Sequence, residues 1–162
     1  MLKKKPWWQR LSRFFLHLIG WDLVEELPPS EKYILVAAHH TSNWDWGVGF
    51  LMMASLGLKP RWVGKNSLFR GIAGPIMRWL GGISVMRGAK QNFVGQIVDV
   101  YNDSKALVIA LAPEGTRKYV DHWKTGFYHI AKGAQVSIAM AFLDYSKKAC
   151  GIGGHFLPSE NL

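Results

Sequence analysis

Tyr33-Ile34-Leu35-Val36-Ala37-Ala38-His39-His40-Thr41-Ser42-Asn43-Trp44-Asp45-Trp46 is the stretch on which the fold turns. Its first six residues are apolar without a break, the pattern of a strand buried on both faces. Ser42 or Asn43 offers a cap for a following helix and puts Asp45 in its first turn. The apolar run from Trp46 to Leu58 reads as that helix, buried rather than membrane-spanning, because it holds three glycines and a serine. A strand leading through a polar loop into a helix brings His40 and Asp45 near each other at the strand end. Asp45 would hold the imidazole in the tautomer whose free nitrogen accepts a proton. The pair alone is a weak signal, since either residue also serves as a cap or a satisfied polar group.

The rest of the chain repeats this alternation. Arg61–Gly64, Gly82–Arg87, Ala106–Leu111, Ser137–Asp144 and Cys150–Phe156 read as strands. Ser67–Leu80 reads as a helix interrupted near Gly74-Pro75. Asn92–Tyr101 and Thr125–Lys132 read as further helices. The expected fold is α/β, a layered mixed sheet flanked by helices, preceded by an N-terminal amphipathic helix. Residues 1–27 form that helix and a linker, and residues 28–162 form one domain.

The charge pattern narrows the partners. The formal net charge is +9, and no Asp or Glu stands between Trp46 and Val98. That span carries Lys59, Arg61, Lys65, Arg70, Arg78, Arg87 and Lys90, a positive field that draws anions. The single cysteine, Cys150, excludes an internal disulfide and a Cys-rich metal site, and reads as a small buried hydrophobe. A metal held by His39, His40 and Asp45 is disfavoured, because neighbouring residues of a strand point to opposite faces. No apolar segment reaches the roughly 18–20 residues that span a bilayer. In residues 6–20, Trp7, Trp8, Leu11, Phe14, Phe15, Leu18 and Ile19 recur at helical spacing. Arg10, Arg13 and the Lys3-Lys4-Lys5 cluster lend the segment positive charge, as in a helix lying in a membrane interface. Trp7, Trp8, Phe14 and Phe15 are the expected membrane contacts.

Two more strand ends carry chemistry. Ala112-Pro113-Glu114-Gly115-Thr116-Arg117 follows a buried strand, with a glycine for close approach, a hydroxyl and a guanidinium fork. Gly82-Ile83-Ser84-Val85-Met86-Arg87 delivers Arg87 at another. Ligands of parallel α/β sheets bind at the carboxyl ends of the strands, so a base and a phosphate clamp would meet there.

His40-Thr41-Ser42-Asn43-Trp44-Asp45, then Gly82–Arg87, then Pro113-Glu114-Gly115-Thr116-Arg117 resembles the motif series of the glycerolipid acyltransferase family, whose best-known members are 1-acylglycerol-3-phosphate (lysophosphatidic acid) acyltransferases. The resemblance covers about residues 33–144. Lys65-Asn66-Ser67-Leu68-Phe69 and Lys124-Thr125-Gly126-Phe127 resemble two further family segments. The family departs at His39, where Asn is usual, at Lys118, where Ser is usual, and in the absence of a proline from Val136–Phe142. Many members also continue into a terminal helix, so a chain stopping at Leu162 is expected to be either truncated at its C-terminus or a short form.

What the resemblance implies is an acyl transfer. His40 would be the base and Asp45 its orienter. Arg87, Glu114, Gly115, Thr116 and Arg117 would hold the acceptor's phosphate, with Lys65 and Ser42 as additional substrate or oxyanion contacts. The donor would be acyl-CoA or acyl-carrier protein and the acceptor a lysophospholipid, with no cofactor and no metal. The enzyme would sit peripherally on anionic lipids at the cytoplasmic face of a membrane. Other acceptors remain open: glycerol 3-phosphate, another lysophospholipid or a non-phosphorylated alcohol. A non-catalytic basic membrane-binding module is the reading from another class. Nucleic acid is not an expected partner, since no nucleic-acid-binding motif accompanies the charge. A serine hydrolase is disfavoured because no Gly-x-Ser-x-Gly occurs.

Overall fold

The structure, a computed structural model, describes residues 6–37, 44–86, 93–115 and 120–159. Its helices are α1 (Trp7–Leu18), α2 (Trp44–Leu56), α3 (Ala73–Trp79), α4 (Phe93–Asn102) and α5 (Gly126–Ala134). Its strands are β1 (Asp22–Glu25), β2 (Lys32–Ala37), β3 (Arg61–Lys65), β4 (Gly82–Val85), β5 (Leu107–Leu111), β6 (Ser137–Asp144) and β7 (Ala149–Phe156). The strands form one mixed sheet in the order β1-β7-β6-β2-β5-β3-β4. β2 to β6 run parallel to one another, β7 runs antiparallel to β6, and β1 lies parallel to β7.

Strand direction and helix placement follow one another. A parallel crossover is right-handed, so the side of the sheet a helix takes depends on which way the chain steps. From β2 to β3 to β4 the chain steps one way, with α2 and α3 between; from β4 to β5 to β6 it steps back, with α4 and α5 between. The core divides accordingly. Ile34, Val36, Ile109 and Ile138 pack under α4 and α5 with Ile97 and Ile130. Leu35, Ala139, Cys150 and Ile152 pack on the other face with Leu16 of α1 and Met52 of α2. Cys150 is fully buried, and burial pushes its thiol up to about 11. Alternate residues of β2 feeding both layers explain its unbroken apolar sequence. The Tyr101 hydroxyl of α4 donates to the Tyr33 carbonyl at 2.8 Å, and the Lys32 ammonium donates to the Tyr101 carbonyl at 2.8 Å.

Three elements differ from the sequence reading. Residues 22–25, read as linker, form β1 and pair with β7. The segment 67–80 breaks at Arg70–Ile72, between a 3-10 turn (Asn66–Phe69) and α3, and not at Gly74-Pro75. Pro75 sits in the first turn of α3, where its missing N–H costs nothing. The helix read as buried, α2, is covered on one side only: Val48 and Met52 are in the core, whereas Phe50 is exposed.

α1 is turned against its own polarity. Leu16 is buried, and Gln9, Ser12 and Arg13 are half-buried on the same side. Arg13 donates to the Ser55 carbonyl and pairs with Glu25. Trp7, Leu11, Phe14, Phe15 and Leu18 face outward, Trp7 with 74% of its surface exposed. Trp8 differs from its neighbour Trp7; it is half-buried, with the Lys59 ammonium over its ring at 5.9 Å.

Candidate functional site

Five parallel strands end at one edge of the sheet: β2 at Ala37, β3 at Lys65, β4 at Val85, β5 at Leu111 and β6 at Asp144. Val36 is level with Leu111 and Met140, and Lys65 with Val85. The three motif segments leave from this edge, after β2, β4 and β5. His40, Ser42, Arg87, Thr116 and Arg117 lie outside the described residues. Asp45, Lys65, Glu114 and Gly115 lie within them.

Asp45 stands in the first turn of α2, as its spacing from Ser42 and Asn43 implies, and is only 3% exposed. A carboxylate near a helix N-terminus is favoured by the backbone dipole, but burial still demands hydrogen-bond donors. One donor is the Tyr145 hydroxyl, 2.6 Å from Asp45 Oδ1. Tyr145 lies in the turn between β6 and β7, a hundred residues away along the chain. The hydrogen bond to Asp45 is the main cause that pushes the Tyr145 phenol up to about 12, so the hydroxyl stays protonated at neutral pH. Trp21, buried beside β1, meets the Tyr145 ring edge-on at 5.0 Å.

The segment after β5 is a tight turn. Glu114 is buried, and Gly115 adopts φ +64 and donates its N–H to the Ala112 carbonyl at 3.1 Å. The Lys124 N–H donates to the Pro113 carbonyl at 2.9 Å. A Cβ at Gly115 would lie 2.8 Å from Lys124 Nζ. The left-handed backbone favours glycine here, and the flexible Lys124 side chain crosses over it. This places the Lys124 ammonium on the Pro113–Gly115 turn. Lys65 is exposed at the end of β3. Gln96 of α4 holds Met86, the residue before Arg87, from both sides: its Oε1 accepts from the Met86 N–H at 3.0 Å, and its Nε2 donates to the Met86 carbonyl at 3.1 Å.

Tyr145 and Gln96 were not legible as site residues. Each lies in a segment without a motif, and only the packing of β6–β7 and α4 against the strand ends brings them in. Lys124 carried a signal through its likeness to a family segment.

The class so defined is an α/β domain with a buried carboxylate and basic side chains gathered along the carboxyl edge of parallel strands. The family model described as Acyltransferase matches residues 22–141. The chain belongs to the acyltransferase family. Among solved structures it is similar to the 1-acyl-sn-glycerophosphate (LPA) acyltransferase PlsC from Thermotoga maritima, with a TM-score of 0.55 and 16% identity over 94% of this chain and 70% of that one. At that identity the likeness shows the fold, with its mixed sheet and N-terminal helix. No curated protein matches the chain.

Proposed function

We propose that the protein moves a fatty acyl group from acyl-CoA or acyl-carrier protein to the hydroxyl of a lysophosphatidic-acid-like acceptor, at the cytoplasmic face of a membrane. The observation that carries this reading is Asp45, buried in the first turn of α2 at the edge where the parallel strands end. In the proposed mechanism Asp45 orients His40, whose free ring nitrogen takes the proton of the acceptor hydroxyl. The oxygen attacks the thioester carbonyl, and the carbonyl π electrons move onto oxygen. When the tetrahedral oxyanion collapses, the C–S bond breaks and the thiolate leaves with the proton returned by the imidazolium. No enzyme nucleophile is needed, because the substrate supplies the hydroxyl.

Arg87 and Arg117 would hold the acceptor's phosphate with guanidinium forks, together with the Thr116 hydroxyl and the Gly115 backbone. Lys124, beside Gly115, supports a phosphate at this turn. Glu114 would contribute by position, since a carboxylate repels phosphate. Lys65 and Ser42 remain candidates for the oxyanion or the substrate. No resident cofactor or metal takes part in this scheme.

Membrane contact has its support in the orientation of α1. A helix that turns Arg13 and Ser12 inward, half-buried, and exposes Trp7, Leu11, Phe14 and Leu18 fits a lipid surface better than water. The same side of the sheet, that of α2 and α3, exposes Phe50, Ile72 (91%) and Trp79 (83%), with Arg70 and Arg78 exposed among them. A surface of this kind suits anionic lipid. Among the described residues no helix is long and apolar enough to cross a membrane.

The test is thiol release from acyl-CoA and acyl-carrier protein with a panel of acceptors: lysophosphatidic acid, glycerol 3-phosphate, another lysophospholipid and a plain alcohol. Lysophosphatidic acid should be the best acceptor. His40→Ala and Asp45→Asn should each cut turnover by about a hundredfold or more while vesicle binding persists. If no acceptor elicits thiol release and the variants bind vesicles as the parent does, the chain is a binding module.

A further inference from the structure

We propose that Tyr145 is a positioning residue: its hydroxyl fixes the plane of the Asp45 carboxylate, and through it the imidazole that Asp45 orients. The inference rests on the His40–Asp45 reading and adds to it a residue from a distant part of the chain.

The geometry has three layers. The Tyr145 hydroxyl donates to Asp45 Oδ1 at 2.6 Å, the length of a hydrogen bond to a charged acceptor. A carboxylate has two oxygens in one plane, so a strong bond to one of them sets the direction in which the other presents its lone pairs. The second layer is the Tyr145 ring, which is half-exposed and would be free to swing but for Trp21. Trp21 meets it edge-on at 5.0 Å and 86°, and is itself buried where α1 passes into β1. The third layer is the turn. Asp144 accepts from the Ser146 hydroxyl at 2.6 Å and from the Ser146 and Lys147 N–H groups at 3.0 Å each. Together they hold Tyr145 at the site edge from the β6–β7 side, opposite the α2 turn that carries Asp45.

A hydroxyl here does what a lysine or arginine would not. A full positive charge on Asp45 would cancel the negative charge that stabilises the imidazolium formed in the transition state. A neutral phenol orients the carboxylate and leaves most of its charge in place. Tyr145 therefore belongs with the groups that hold the base, and touches neither substrate in this scheme.

Tyr145→Phe removes the oxygen and keeps the ring against Trp21. We expect kcat to fall about tenfold, with KM for donor and acceptor unchanged within about twofold, since the lost bond orients a catalytic group and binds no substrate. The melting temperature should stay close to that of the parent, because the ring is half-exposed. The double variant Asp45→Asn/Tyr145→Phe should be no slower than Asp45→Asn alone, the non-additivity of residues acting in series. A Tyr145→Phe enzyme with parental kcat, alongside an inactive Asp45→Asn, overturns the role of Tyr145 and leaves the base intact. A fall in the double variant equal to the product of the two single falls also overturns it. Full turnover by Asp45→Asn overturns the His–Asp reading itself, whatever Tyr145→Phe does.

Discussion

The Asp144 carboxylate ends β6 and takes three hydrogen bonds from the two residues after Tyr145. The Ser146 hydroxyl is the largest cause, and the Lys147 N–H the next, that hold its pKa below the ordinary 3.8. A carboxylate depressed in the folded state stabilises the fold at pH above its unfolded value, and the contribution is lost as pH falls through the folded value. Asp144→Ala should therefore be less stable than the parent near neutral pH, and the gap in chemical denaturation should narrow in acid below the folded pKa. A gap that stays the same from neutral pH into strong acid would mean the carboxylate charge plays no part. At this scale the sequence was informative where residues lie close along the chain. Asp45 falls where its spacing from Ser42 and Asn43 puts it, and the Pro113-Glu114-Gly115 turn falls where a glycine was expected to give close approach. Tyr145 and Gln96 reach the site only through folded neighbours, and a lone tyrosine in a turn or glutamine on a helix has no periodicity to betray it.

α1 shows at the level of elements how a pattern can be read correctly in period and still leave open which side faces in. The helical spacing of Trp7, Leu11, Phe14 and Leu18 implies an apolar stripe, but a stripe is equally at home on a core. The buried side is instead the one with Leu16, Ser12 and Arg13, held by the Ser55 carbonyl and Glu25. Deleting residues 1–20 would strip Leu16 from the core, so point changes are the cleaner probe. Trp7→Ser and Phe14→Ser should each weaken binding to anionic vesicles by about tenfold, the effect of losing one aromatic side chain from lipid, and should leave the melting temperature in buffer unchanged. Equal affinity of parent and variants in a vesicle sedimentation assay would assign the stripe to something else. β1 was invisible because it is four residues long with an acid at each end, too short for alternation to register. Its place depends on Gly151 in β7, at φ +148, where an added Cβ would overlap the Val24 carbonyl oxygen. Gly151→Ala should cost about 1–3 kcal/mol in urea denaturation from backbone strain alone. A variant as stable as the parent would show that the Gly151 backbone imposes no such strain and that β1 yields to the added Cβ at no cost.

For the molecule as a whole, alternating strand and helix gave the layered α/β architecture, and the right-handed crossover rule then fixed which helices share a side. What composition and spacing leave open is strand order, because β2 is paired with β5 and β6 rather than with the strand that follows it. The net charge of +9 also acts at this scale. Vesicle binding should weaken steeply as salt is raised and should depend on anionic lipid, as attraction over a Debye length requires. Binding to neutral vesicles as tight as to anionic ones would leave the apolar side chains as the whole of the attraction.

The pairing of β1 with β7 sets a timetable for the chain during its synthesis. β1 is complete by Glu25, yet its partner begins at Ala149, and β2 waits for Leu107 and Ser137 before either of its flanks is filled. Long loops must close before such contacts reward them, so these pairings form later than contacts between neighbours in the chain. Until β6 emerges from the ribosome one flank of β2 stays bare, and until β7 emerges β1 and the Leu16 side of α1 lack part of their cover. A nascent chain in that state is exposed to aggregation, and a membrane or chaperone that receives α1 early would shield it through the wait.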